Sequence, residues 1–142
     1  MKTENRIIVV LPAYNEEDAI GALFDRFIQL MKLHPEVDMR VAVINDGSTD
    51  STPAVLEKYK KLMPLEVVNH PKNMGLGAAV RTCLREGLRR SSSDNDIIIS
   101  MDADNTHLPE YIPALVQKIQ DGADIAIASR FRRGSREVGV PF

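Results

Sequence analysis

The chain has 142 residues, a formal net charge of −2, 44% hydrophobic and 27% charged residues. This is the balance of one ordinary soluble globular domain, long enough to bury a core without staples, and it excludes a bulk electrostatic pull toward nucleic acid. Cys83 is the single cysteine, so no internal disulfide forms and a reducing, cytoplasmic setting is expected. The N-terminal residues lack the apolar core of a signal peptide, and no stretch approaches the roughly 20 apolar residues of a membrane span. The sequence stops at Val140-Pro141-Phe142 without a closing element and reads as one domain, 1–142, truncated at its C-terminus.

The first element is the apolar run Ile7–Leu11, continuous rather than alternating, as in a strand buried on both faces of a parallel sheet. From Glu16 to about Leu33, Ile20, Leu23, Phe24, Phe27, Leu30 and Met31 recur at helical spacing. Asn15 is the expected N-cap of that helix, with acids in its first turn. Val41–Ile44 is the second strand, and Pro53 opens a second helix reaching about Leu62. Leu65–Val68 is a weaker strand expected near an edge. A helix over Gly77–Arg90, a strand at Ile97–Ile99, and a helix from Pro109 to a C-terminal Gly122 follow. Ile125–Ala128 reads as a last strand. The alternation predicts an α/β fold, a doubly wound, mostly parallel sheet with helices on both faces.

In such sheets a ligand sits outside the carboxyl ends of the strands, so the residues after each strand are the candidate site. They are Pro12-Ala13-Tyr14-Asn15-Glu16, Asn45-Asp46-Gly47-Ser48-Thr49-Asp50, the segment from Asn69 to Gly77, and Asp102-Ala103-Asp104-Asn105-Thr106-His107. Carboxylates, amides, Lys72 and glycines there suit a ligand carrying base, ribose and diphosphate. Asp102 and Asp104, one residue apart, are spaced to reach one hard cation. Mg²⁺ and Mn²⁺ take oxygen ligands, and Mg²⁺ is commonly held by one or two carboxylates plus substrate phosphates.

Asn45 and Asp46 suit a base and ribose, or else a type I turn with Gly47 left-handed and Asp46 capping. Gly75-Leu76-Gly77 is half a dinucleotide fingerprint, lacks the third glycine and follows the wrong strand. Lys72 and Asn73 face phosphate or ribose, or solvent. Tyr14 stacks on a base or packs. Cys83 reads as core, His34 and His70 have no ligand spacing, and His107 is placed to orient the acidic loop. The basic tail from Arg130 to Arg136 is a solvated end or a phosphate grip.

Taken in order, Leu11-Pro12-Ala13-Tyr14-Asn15-Glu16, Asn45-Asp46-Gly47-Ser48-Thr49-Asp50, Asn73-Met74-Gly75-Leu76-Gly77, Met101-Asp102-Ala103-Asp104 and Ala128-Ser129-Arg130-Phe131 resemble the family 2 glycosyltransferases of GT-A fold. Met-Asp-Ala-Asp followed by His107, Pro109 and Glu110 is most similar to the dolichol- or polyprenyl-phosphate mannose synthase branch. The resemblance implies a metal-dependent, inverting hexosyl transfer from a nucleotide-sugar of GDP-mannose or UDP-glucose type to a polyprenyl phosphate. A saccharide acceptor, or a donor-binding module without turnover, is the alternative. The resemblance places the protein peripherally at the cytoplasmic membrane face.

Residue by residue, the resemblance assigns Pro12, Tyr14, Glu16 and Asp46 to base and ribose, with Asn45, Lys72, Gly75 and Ala103 alongside. It assigns Asp102 and Asp104 to Mg²⁺ or Mn²⁺ and diphosphate, Thr106 to the metal, and Arg130 to the acceptor phosphate. With Asp102 and Asp104, Arg130 completes the expected catalytic set. Two positions depart from the family pattern. Asn45 stands where an acid is usual, and Thr106 where glutamine is common.

Overall fold

The computed structural model describes residues 5–129, 131, 133 and 134. Two compact units are distinguished, one up to Glu110 and one from Tyr111 onward. The first unit holds a four-stranded, wholly parallel sheet of β1 (Ile7–Ala13), β2 (Met39–Asn45), β3 (Leu65–Asn69) and β4 (Ile97–Ser100), ordered β3-β2-β1-β4. Its helices are α1 (Ile20–Leu33), α2 (Thr52–Tyr59) and α3 (Leu76–Arg90). The strand order grows outward from β1 to β3 and then jumps back to β4. Right-handed crossovers therefore put α1 and α2 on one face and α3 on the other. The α/β doubly wound reading of the sequence is borne out.

Burial explains why the strands read as continuous apolar runs. Ile7, Ile8, Val9, Val10 and Leu11 are all fully buried, so both faces of central β1 are covered. On one face, Ile8, Val10, Ala42 and Ile44 pack with Ala79 and Cys83 of α3. Cys83 is thus core, and burial pushes its thiol up to about 12. Gly87 lets α3 lie close to the sheet, since a Cβ there would meet Ile98 Cγ2 at 2.8 Å. In the other layer, α1 buries Ile20, Leu23, Phe24, Phe27 and Leu30. The Phe24 ring tilts against Tyr59 of α2 at 5.1 Å between centroids, and the Tyr59 hydroxyl donates to Asp25. β3 lies at the sheet edge, as its weaker pattern suggested.

Three boundaries differ from the sequence expectation, and the C-terminal glycine of the last helix stands as expected. α1 starts at Ile20, not Glu16, and Asn15 is not its N-cap. Asn15 is left-handed at φ 53°, and its Oδ1 accepts from the Thr49 N–H at 2.8 Å, so a tie to another loop takes the place of capping. α2 ends at Tyr59 rather than Leu62. Pro109–Tyr111 forms a 3-10 turn before α4 (Ile112–Gln120). α4 ends in a Schellman motif on Gly122: the Ala123 N–H reaches the Lys118 carbonyl, and the Gly122 N–H that of Ile119.

The expected strand at Ile125–Ala128 is not formed. Ile125 and Ile127 are 79% and 80% exposed. Among the described residues of its own unit the regular structure is helical, so the segment has no strand to complete its backbone hydrogen bonds.

One glycine is compulsory. Gly47, just past β2, has φ 69°, and a Cβ there would lie 2.3 Å from the Lys72 carbonyl carbon and 2.4 Å from Asn73 N. The loops after β2 and β3 are pressed together backbone to backbone. Gly47→Ala is expected to cost at least about 2 kcal/mol, from left-handed strain and displacement of that backbone. In the core, Phe27→Ala is expected to cost about 3–5 kcal/mol, and Leu33→Ala on the exposed end of α1 less than about 0.5 kcal/mol. Urea unfolding of the three variants checks this ranking.

Candidate functional site

Parallel strands bring their carboxyl ends to one edge, and backbone bonds carry the ladder one step beyond it. Asp46 N–H donates to the Ala13 carbonyl, His70 N–H to that of Asn45, and Met101 N–H to that of Val10. A cleft of about 320 Å³ opens there. Pro12, Ala13, Tyr14 and Glu16 form one wall, and Asn73, Leu76 and Ala79 another. Asp46, Asp102, Ala103 and Asp104 complete it.

The first wall is fixed by reciprocal hydrogen bonds between the loops after β1 and β2. Asn15 N–H donates to Ser48 Oγ, Glu16 N–H to the buried Thr52 hydroxyl at 2.9 Å, and Glu17 N–H to Asp50. In return Ser51 N–H donates to Glu17 at 2.7 Å. Tyr14, 44% exposed, is thereby held at the cleft with its ring accessible.

Asp46 is the joint between the second and third loops. It is 3% exposed. Its Oδ1 accepts from Met74 N–H at 2.9 Å and contacts His70 Nδ1 at 2.6 Å, and its Oδ2 accepts from Gly75 N–H at 3.0 Å. Burial pushes this carboxyl up, but the bonds from His70, Met74 and Gly75 outweigh it and hold it below the ordinary aspartate value. The His70 ring continues through Nε2 to the Thr82 hydroxyl on α3, 3.0 Å away.

Neighbouring Asn45 is also buried and spends both ends of its amide within the protein. Its Nδ2 donates to Asn69 Oδ1, and its Oδ1 accepts from Ser48 N–H. It does not line the cleft. Lys72 is exposed outside the lining, and Gly75, at φ 88°, acts through its N–H on Asp46.

The acidic loop after β4 is self-supporting. Asp102 N–H donates to His107 Nδ1 at 3.0 Å, so His107 closes the turn across its base. Asp104 Oδ1 accepts both the N–H and the hydroxyl of Thr106, at 2.9 and 2.6 Å. Thr106 thus acts on Asp104 as a donor. Among the described residues Asp104 Oδ2 receives no hydrogen bond. Asn105 between them is left-handed at φ 63°, and its Oδ1 is buried with no hydrogen-bond partner among the described residues. Arg130, the expected phosphate contact, lies outside the described residues.

Electrostatics give the cleft its character. Glu16, Asp46, Asp102 and Asp104 line it, and no basic residue does so among those described. The Glu16 carboxyl is raised first by burial and then by the charges of Asp104, Asp50 and Asp102. Such a cleft repels a bare diphosphate and attracts a cation. No group of three or more Asp, Glu, His or Cys side chains is arranged to cage a metal among the described residues. A cation here would have at most two such side chains and would need its other ligands from a bound anion and water, the habit of Mg²⁺.

Of the residues expected from sequence, the structure brings Pro12, Tyr14, Glu16, Asp46, Asp102, Ala103 and Asp104 together. His70 was passed over, because spacing along the chain does not show it. The signal was across strands: Asn45 pairs with Asn69 in the β2–β3 register, which makes Asp46 and His70 next neighbours beyond the strand ends.

The glycosyl transferase family 2 model matches residues 8–140. The dolichol-phosphate mannosyltransferase of Pyrococcus furiosus is 31% identical over 96% of this chain, which spans 36% of that protein. The polyprenol monophosphomannose synthase of Mycolicibacterium smegmatis is 32% identical over 94% of this chain, which spans 48% of it. Among solved structures, the mannosyltransferase PcManGT of Pyrobaculum calidifontis in complex with GDP-Man and Mn²⁺ superposes with a TM-score of 0.57. It is 27% identical, over 72% of this chain and 28% of its own. The parallel sheet with its strand-end cleft is a GT-A architecture, and the chain belongs to glycosyl transferase family 2, close to its polyprenyl-phosphate mannose synthase branch.

Proposed function

We propose that the cleft binds the nucleoside diphosphate of a nucleotide-sugar, of GDP-mannose or UDP-glucose type, together with Mg²⁺ or Mn²⁺. The protein then serves an inverting transfer of the hexose to a polyprenyl phosphate. The observation that carries this reading is the lining itself, with four carboxylates and no cation among the described residues. A metal offsets the charge with which such a lining opposes an anionic donor. The names of the two relatives support the lipid-phosphate acceptor, and the GDP-Man and Mn²⁺ of the structural neighbour support the donor and metal.

In this reading Asp102 and Asp104 hold the cation, which supplies neutralisation of the charge growing on the departing diphosphate. Thr106 holds the Asp104 carboxylate, and His107 holds the backbone of Asp102, by the bonds described above. Tyr14 and Pro12 give an apolar flank to the base. Glu16, raised by burial and then by its acidic neighbours, offers a hydrogen bond to the ribose. A phosphate monoester acceptor is largely ionised near neutral pH, so its oxygen needs little deprotonation, and alignment contributes much of the rate. An acceptor in a membrane brings the protein to that surface peripherally, and no helix among the described residues is long and apolar enough to cross it.

Titration calorimetry with GDP-mannose and UDP-glucose, with and without Mn²⁺, tests this. At least one donor is expected to bind in a Mn²⁺-dependent way. Asp104→Ala is expected to weaken that binding about 10- to 100-fold, in line with the loss of a metal ligand or its support. Equal affinity in the variant, or no effect of Mn²⁺ on the parent, would remove the metal from the account.

A further inference from the structure

We propose that His70 is a positioning residue. By holding the Asp46 carboxylate it sets the wall of the cleft that carries Asn73 and Leu76, and so sets nucleotide affinity. The proposal rests on the donor-site reading above, and its positioning part is testable without it.

The argument begins with what an ionised carboxylate does: it only accepts hydrogen bonds. The 2.6 Å contact therefore requires His70 Nδ1 to carry the proton and donate to Asp46 Oδ1. In the neutral ring Nε2 is then an acceptor, and the Thr82 hydroxyl, 3.0 Å away, donates to it. A hydroxyl both donates and accepts, so the chain Asp46–His70–Thr82 also stays satisfied when the ring is protonated. The side chains of His70 and Asp46 are 11% and 4% exposed, so water does not readily replace either partner.

The same carboxylate receives Met74 N–H and Gly75 N–H. These two amides sit between cleft residues Asn73 and Leu76 and directly before α3. Gly75 is in the left-handed region, and Asn73 Oδ1 also accepts its N–H. The segment thus turns sharply around one anion. Without His70, Asp46 has lost a donor on the very oxygen that holds Met74. The carboxylate is then free to rotate toward water, taking the two amides' acceptor with it. His70 does not itself line the cleft, and its contact with the lining is Asp46, so its influence on a nucleotide runs through that carboxylate.

Two substitutions separate positioning from bulk. His70→Leu keeps an apolar side chain and removes both bonds. His70→Asn places an amide N–H where Nδ1 stood, because both nitrogens are attached to Cγ. The parent and both variants are titrated with GDP and with UDP in the presence of Mn²⁺. Their melting temperatures are recorded, and amide exchange at Met74 and Gly75 is followed by NMR.

We expect His70→Leu to weaken nucleotide binding at least 10-fold and to speed exchange at both amides. We expect His70→Asn to recover affinity to within about 3-fold of the parent. Unchanged affinity and exchange in His70→Leu would overturn the proposal. So would affinities that follow melting temperature alone, with no recovery in the asparagine variant. If the parent binds neither nucleotide, the donor-site reading falls and the affinity part of this proposal with it. Exchange at Met74 and Gly75 then decides the positioning role alone.

Discussion

A carboxylate taken out of water must find donors, and the strand-end edge of this protein is arranged around that demand. Asp46 is almost fully buried at the end of β2. Its donors come from His70 just past β3 and from the backbone of Met74 and Gly75 before α3. The next residue, Gly47, has no side chain because the backbone of Lys72 and Asn73 occupies the space. Asn45, one residue earlier, ties β2 to Asn69. Three consecutive residues thus fasten two loops together, and one wall of the cleft is the outcome. Removal of any one donor leaves a buried charge short of a partner, so these contacts hold or fail together.

The two remaining loops are tied by different means. The loop after β1 is laced to the one after β2 by backbone-to-side-chain bonds involving Asn15, Glu16, Glu17, Asp50 and Thr52. The acidic loop after β4 is braced from within by His107 and Thr106. This division has a functional logic on the proposed reading. The parts facing base and ribose are rigidly joined to the sheet, while Asp104 keeps an oxygen without a hydrogen bond among the described residues. Glu16 is raised by burial and then by the surrounding acids, a concentration of charge that on the proposed reading a cation and an anion entering together would offset.

Much of the fold was legible in the sequence because burial on both sheet faces writes itself as unbroken Ile and Val runs. Ile7–Leu11 and Val41–Ile44 were found that way, and Leu65–Val68, half-buried, was rightly weaker. The same rule failed at Ile125–Ala128, since an apolar run forms a strand only beside a partner. Asn15 was misread as a helix cap because Asn before acids has two uses, and only the approach of Thr49 selects between them. At the site, Asp102 and Asp104 were visible through local spacing. The Asp46–His70–Thr82 chain was not, since it joins residues 24 and 12 positions apart that meet only through strand register and helix placement.

The central claim is that a metal and a nucleoside diphosphate occupy the carboxyl edge of the sheet at Asp102 and Asp104. Paramagnetic broadening of amide resonances by substoichiometric Mn²⁺, with GDP or UDP present, tests it directly. The account predicts broadening centred on Asp102 to Thr106 and reaching Glu16, with the Asp38 and Asp96 region at the opposite strand ends unaffected. Broadening centred on Asp38 or Asp96, or spread evenly over the acidic surface, would contradict it.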